Sequence, residues 1–160
     1  MAVPDLSRDR VEERLGALEE GYASFTVNQT TLSVSPEAYE RTRARSDAGL
    51  TDVYVQIYGE DGDVLLVEKD DGWVIPHVKP GLEESLELGT RRAVAADTGV
   101  ECRITDLERV TILGVRDETD PERDPVYRLV TIFVGERVSG SPGEAVAWHS
   151  SLPDAALPDP

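Results

Sequence analysis

His77 and Lys79 follow Trp73-Val74-Ile75-Pro76, and Glu83, Glu84, Glu87, Arg92 and Asp97 come after them in the same stretch of chain. These residue types handle phosphates and hard cations. An ammonium holds a phosphate as a point charge, a guanidinium grips carboxylate or phosphate through a planar fork, and carboxylates give Mg²⁺ its oxygen ligands. His77 suits a phosphate or base contact, and equally an ordinary exposed loop position. Type alone does not select among the carboxylates, because most of the 32 Asp and Glu of the chain must be solvated surface. A second concentration of them, Asp117, Glu118, Asp120, Glu122 and Asp124, lies in RDETDPERDP, a polar loop over 116–125 where replacement ligands would be sought. His149, beside Trp148, reads as structural. No P-loop, dinucleotide-binding glycine fingerprint or zinc spacing of Cys and His occurs. With Cys102 the single cysteine, an intrachain disulfide and a thiolate cluster are excluded.

The elements that must position these residues are legible from periodicity. Val11, Leu15 and Leu18 recur at helical spacing over 7–20, with Ser7 as cap. Phe25 to Val34 alternates and is rich in Thr and Val, which predicts a strand or short hairpin. Ser35-Pro36-Glu37 then opens a helix over 36–46. Val53, Val55 and Ile57 alternate, Asp61-Gly62 supplies a turn, and Val64 to Val67 runs back, which predicts a hairpin. After the loop that begins at Pro76, a helix starts near Ser85 and stops at Gly99. Strands follow at 109–115 and 127–137. The aromatic residues Tyr54, Tyr58, Trp73 and Tyr127 suit base stacking, although aromatic residues on a sheet are usually core.

Composition sets the class. At 160 residues and 39% hydrophobic the chain forms one domain with one core. Its net charge is −16, and Lys occurs only at Lys69 and Lys79, so that 14 of the 16 cations are Arg. Such an acidic, Lys-poor surface is expected of a protein from a halophilic source, because concentrated salt screens its self-repulsion. It argues against binding a nucleic acid polymer, which requires Lys and Arg to neutralise phosphates. The N-terminus lacks the basic start and apolar run of a signal peptide, and no stretch approaches a membrane span, so a cytoplasmic protein is expected.

The order hairpin, W-V-I-P, loop, helix, T-G-V resembles the Nudix (MutT-like) hydrolases. Their signature runs from a Gly-rich loop through a Gly-Glu-Ser/Thr step and a helix bearing Arg-Glu-hydrophobic-x-Glu-Glu to x-Gly-hydrophobic. Pro76 at one end and Thr98-Gly99-Val100 at the other give one ungapped register for WVIPHVKPGLEESLELGTRRAVAADTGV. The preceding DGDVLLVEKDDGW and the later VAWHSSLPD agree with the family's hairpin and closing strand, so the resemblance spans about 50–155. It implies an α/β fold, the Nudix-type α/β/α sandwich with a mixed sheet. Residues 1–48 are then an N-terminal extension of helix, strand or hairpin, and helix; 49–156 are the Nudix-like domain and 157–160 a tail.

Carried over by position, the resemblance makes Glu84 the loop glutamate, Ser85 the helix cap, Arg92 the signature arginine and Asp97 the last glutamate of the pair. Glu84 and Asp97 would hold Mg²⁺ or Mn²⁺, Arg92 would order loop against helix, and His77 and Lys79 would meet the substrate. The chain departs from the pattern at Ala93 and Ala96, which replace two glutamates. It departs again at His77, Val78 and Lys79, which replace loop glycines, and at Glu83, which stands where a glycine precedes the loop glutamate. Positions 93, 96 and 97 are spaced i, i+3 and i+4 and share a helix face, which here reads Ala, Ala, Asp. Two readings follow. One is a metal-assisted hydrolase of a nucleoside diphosphate linked to another group, with a depleted metal site. The other is a catalytically inactive domain, needing no metal, that binds a nucleotide or phosphorylated metabolite as a sensor or partner protein. A homodimer built on the N-terminal extension is a third role.

Overall fold

The computed structural model describes residues 6–22, 24–49, 51–70, 72–81 and 85–153. In chain order the elements are α1 (Leu6–Gly21), β1 (Thr26–Val34), α2 (Pro36–Asp47), β2 (Asp52–Tyr58), β3 (Val64–Lys69), β4 (Gly72–Val74), β5 (His77–Val78), α3 (Leu86–Thr98), β6 (Val100–Asp117), β7 (Val126–Gly140) and β8 (Val146–His149). The strands form one mixed sheet in the order β1-β6-β7-β2-β3-β4, with β5 added beside β2 and β8 beside β3. β1 with β6 and β2 with β7 are parallel, and β6 with β7 is antiparallel. The expected α/β class with a mixed sheet is therefore present.

Alternation along β2 divides the molecule. Val53, Val55 and Ile57, each wholly buried, point into the main core with Phe133 of β7, Val11 and Leu18 of α1, and Leu86 and Val94 of α3. Burying each such side chain contributes roughly 1.5–3 kcal/mol. The intervening Asp52, Tyr54, Gln56 and Tyr58 lie on the other face. There Tyr54, Tyr58 and Trp73 pack on a smaller cluster of Val64, Leu66 and Ile75.

Several local expectations change. Ser7 is not a cap: α1 starts at Leu6, and the buried Ser7 hydroxyl accepts the Tyr127 N–H at 3.0 Å. β1 is a single strand, not a hairpin, because its partner is the distant β6, in unbroken register from Thr26↔Arg109 to Val34↔Asp117. The 52–69 hairpin is reduced to one pair, Tyr58↔Val64, since β2 takes β7 and β5 as neighbours while β3 takes β8 and β4. β6 and β7 run well beyond 109–115 and 127–137, with register shifts at three places along their pairing. α2 is as expected, with the Ser35 hydroxyl accepting the Ala38 N–H at 3.2 Å and Pro36 in its first turn.

Candidate functional site

α3 is fixed at both ends by its sequence. The Ser85 hydroxyl accepts the Leu88 N–H at 3.3 Å, and Gly99 closes the helix in the left-handed region at φ 80°, its N–H bonded to Ala95 O at 3.0 Å. Leu86, Gly89, Thr90, Val94 and Thr98 are buried against the sheet. Arg92, Ala96 and Asp97 face solvent, whereas Ala93 is half-buried against the main core. The face expected to carry metal ligands thus turns partly inward at 93 and offers one carboxylate, Asp97. Glu83 and Glu84 lie outside the described residues, and among those described no group of three His, Cys, Asp or Glu is disposed to hold a metal ion. Mg²⁺ takes near-octahedral oxygen coordination, and a centre of two or three ions needs several converging carboxylates. The helix donor set of Ala93, Ala96 and Asp97 does not fit such a centre.

His77 is placed differently from a loop histidine. It begins β5, pairs with Tyr54 of β2, and lies flat on the Tyr54 ring, with centroids 4.3 Å apart and planes 6° apart. Its Nε2 is 3.1 Å from Asp52 Oδ1. The Arg128 Nη2 donates to Asp52 Oδ2 at 3.2 Å, and Arg45 Nη1 stands 3.8 Å from Oδ1. Burial pushes the Asp52 carboxyl upward. The His77 hydrogen bond and the charges of Arg128 and Arg45 outweigh it and hold the pKa down at about 2. One carboxylate therefore faces two guanidiniums and an imidazole, and the Nε atoms of Arg45 and Arg128 are buried without a hydrogen-bond partner among the described residues. Lys79, exposed, continues the chain just beyond β5.

Sequence reasoning named His77 but missed its neighbours Asp52, Arg45 and Arg128. The available signal was a charge inside an apolar run: Arg128 interrupts VYRLVTIFV, and Asp52 opens the buried strand DVYVQIY. Both residues are buried, and buried charges are paired.

Two carboxylates of the 116–125 loop, Asp117 and Asp120, bond within the loop itself. Asp117 Oδ1 accepts the N–H and hydroxyl of Thr119 at 2.9 and 2.7 Å, and Oδ2 lies 3.4 Å from Arg123 Nη1. Arg123 also pairs with Glu40 of α2 and covers the Tyr39 ring at 4.3 Å, so the loop is tied to α2. His149 is tilted against Trp73 with centroids 4.6 Å apart, a packing role. On the Tyr54 face, Gln56 Nε2 donates to Glu108 Oε2 at 2.7 Å, and Glu108 with Thr26, Asn28, Arg109 and Ile132 bounds a cleft of ≈ 310 Å³.

No profile of a known protein family matches the sequence, and comparison with curated proteins gives no match. Solved structures of similar shape include an ADP-ribose pyrophosphatase from Streptococcus suis, at 15% identity and TM-score 0.43, covering 64% of this chain and 74% of that one. A UDP-X diphosphatase has 17% identity and TM-score 0.49, covering 99% of this chain and 79% of its own. A MutT protein from Methanosarcina mazei has 22% identity and TM-score 0.41, covering 63% and 76%. At these values the likeness assigns no residue and no substrate. No helix among the described residues is long and apolar enough to cross a membrane.

Proposed function

We propose that this chain is a Nudix-type domain that binds a nucleoside diphosphate derivative or another phosphorylated metabolite without relying on a multi-metal centre. The observation that carries this reading is α3, where the half-buried Ala93 and the exposed Ala96 occupy the positions at which metal-ligating glutamates are expected and the exposed Asp97 alone supplies a carboxylate. The partly exposed Arg45 beside Asp52 and the exposed Lys79 would attract phosphate without an intervening metal ion. Hydrolysis with a reduced metal site on Glu84 and Asp97 is the second reading. It is favoured by Arg92 and Asp97 both facing solvent on a helix whose caps are complete.

One experiment separates the two. A panel of nucleoside diphosphate derivatives is titrated against the protein in molar KCl, with and without Mg²⁺ or Mn²⁺, while phosphate release is followed, and Asp97→Ala and Lys79→Ala are run alongside. The binding reading expects saturable binding without added metal, no turnover, and an affinity reduced about tenfold in Lys79→Ala. Metal-dependent turnover that disappears in Asp97→Ala would replace it with the hydrolase. A folded protein that neither binds nor cleaves any member of the panel would remove both.

A further inference from the structure

We propose that β1 is an association edge through which two copies of this chain pair antiparallel, continuing one sheet across a two-fold axis. β1 ends the strand order, and β6 is its one strand partner among the described residues, so its outer row of N–H and C=O groups has no strand partner there. Proteins protect such edges by keeping them short, by placing charges or proline on them, or by bulging them away. β1 has none of these devices. It runs nine residues, TVNQTTLSV, without charge or proline, and its register with β6 is unbroken. At the other end of the strand order β4 has three residues.

The charge pattern selects the occupant. Residues 21–36 contain no Asp, Glu, Lys or Arg, the longest such run in a chain that is 30% charged. Two chains of net charge −16 repel each other over most of their surfaces. An uncharged strand is the place where two of them approach at least cost, and the same edge is present on every copy. A two-fold arrangement satisfies both edges together, because residue i meets j and j meets i. Val27 and Leu32, 46% and 47% exposed, would gain cover on the two faces of the joined sheet. Thr26 and Asn28 of this strand also line the cleft shared with Glu108, Arg109 and Ile132.

The test is the mass of the full chain by light scattering, in low salt and in molar KCl, together with amide exchange over 26–34. The expected result is a species of twice 17.5 kDa that is strengthened by salt, with β1 amides exchanging about tenfold more slowly in the dimer than in diluted protein. The double variant Gln29→Lys/Thr31→Lys, both positions being exposed, should be monomeric with an unchanged circular dichroism spectrum. Asn28→Lys alone is a milder version in case the double variant folds poorly. A wild-type chain that stays monomeric up to sub-millimolar concentration in both salts would overturn the proposal. So would a dimer that both variants leave intact.

Discussion

Asp52 shows what a single buried carboxylate does for this chain. Its folded pKa of about 2 lies below the ordinary 3.8, so the folded state holds fewer protons than the unfolded state between those values. The stability this confers, on the order of 2 kcal/mol, is fully present above pH 3.8 and is lost as pH falls toward about 2. Asp52→Asn removes that dependence. At neutral pH it should also destabilise the protein by about 3–5 kcal/mol, because Arg128 stays buried without its counter-charge. Urea denaturation of both proteins from neutral to acid pH measures this. A gap between wild type and Asp52→Asn that does not shrink through the acid window would mean that Asp52 is not held low by its neighbours. His77 and Lys79 were visible as candidates from their place after Pro76, but Asp52, Arg45 and Arg128 come from three separate segments. No spacing in the chain announces that they meet, since the pairing of β2 with β7 brings them together.

Among the elements, α3 was the most legible because its signals are local. A serine cap and a glycine stop each act on the turn of helix beside them, and both are found in place. The glycine stop gives a sharp prediction. A Cβ on Gly99 would lie 2.7 Å from the Ser141 carbonyl oxygen, and the residue sits at φ 80°, so Gly99→Ala should destabilise by more than about 1 kcal/mol. Gly16, inside α1, has nothing within 4 Å of an added Cβ, so Gly16→Ala should instead stabilise by about 0.5–1 kcal/mol. Thermal or urea unfolding of the two variants should shift in opposite directions, and matching shifts would contradict the assignment of Gly99 as the conformational stop. The strands were less legible. Asp61-Gly62 correctly marked a turn, with Gly62 at φ 82°, yet the strands it joins share one pair before each turns to other partners. Turn chemistry specifies a reversal of the chain but not which strands become neighbours beyond it.

For the whole molecule, the net charge of −16 should make stability depend on salt. At about 1 M salt the screening length is only ~3 Å, which removes most repulsion between surface carboxylates. The melting temperature should therefore rise by several degrees from low salt to molar KCl, as measured by scanning calorimetry; a flat response would refute adaptation to concentrated salt. Length and apolar content alone led to the expectation of one core, and the resemblance carried by the sequence implied an α/β class with a mixed sheet, which is the class found. The sequence also determined that Ala93, Ala96 and Asp97 lie close together on α3, because i, i+3 and i+4 positions are related by fixed helical geometry wherever the helix sits, while the structure decided that Ala93 turns toward the core. Only the tertiary structure decided that β1 joins the sheet as its edge, that β2 lies between β7 and β3, and that His77 is held by Asp52 and Tyr54. Those are contacts between distant segments, set by which apolar faces pack best, and local preference carries no information about that choice.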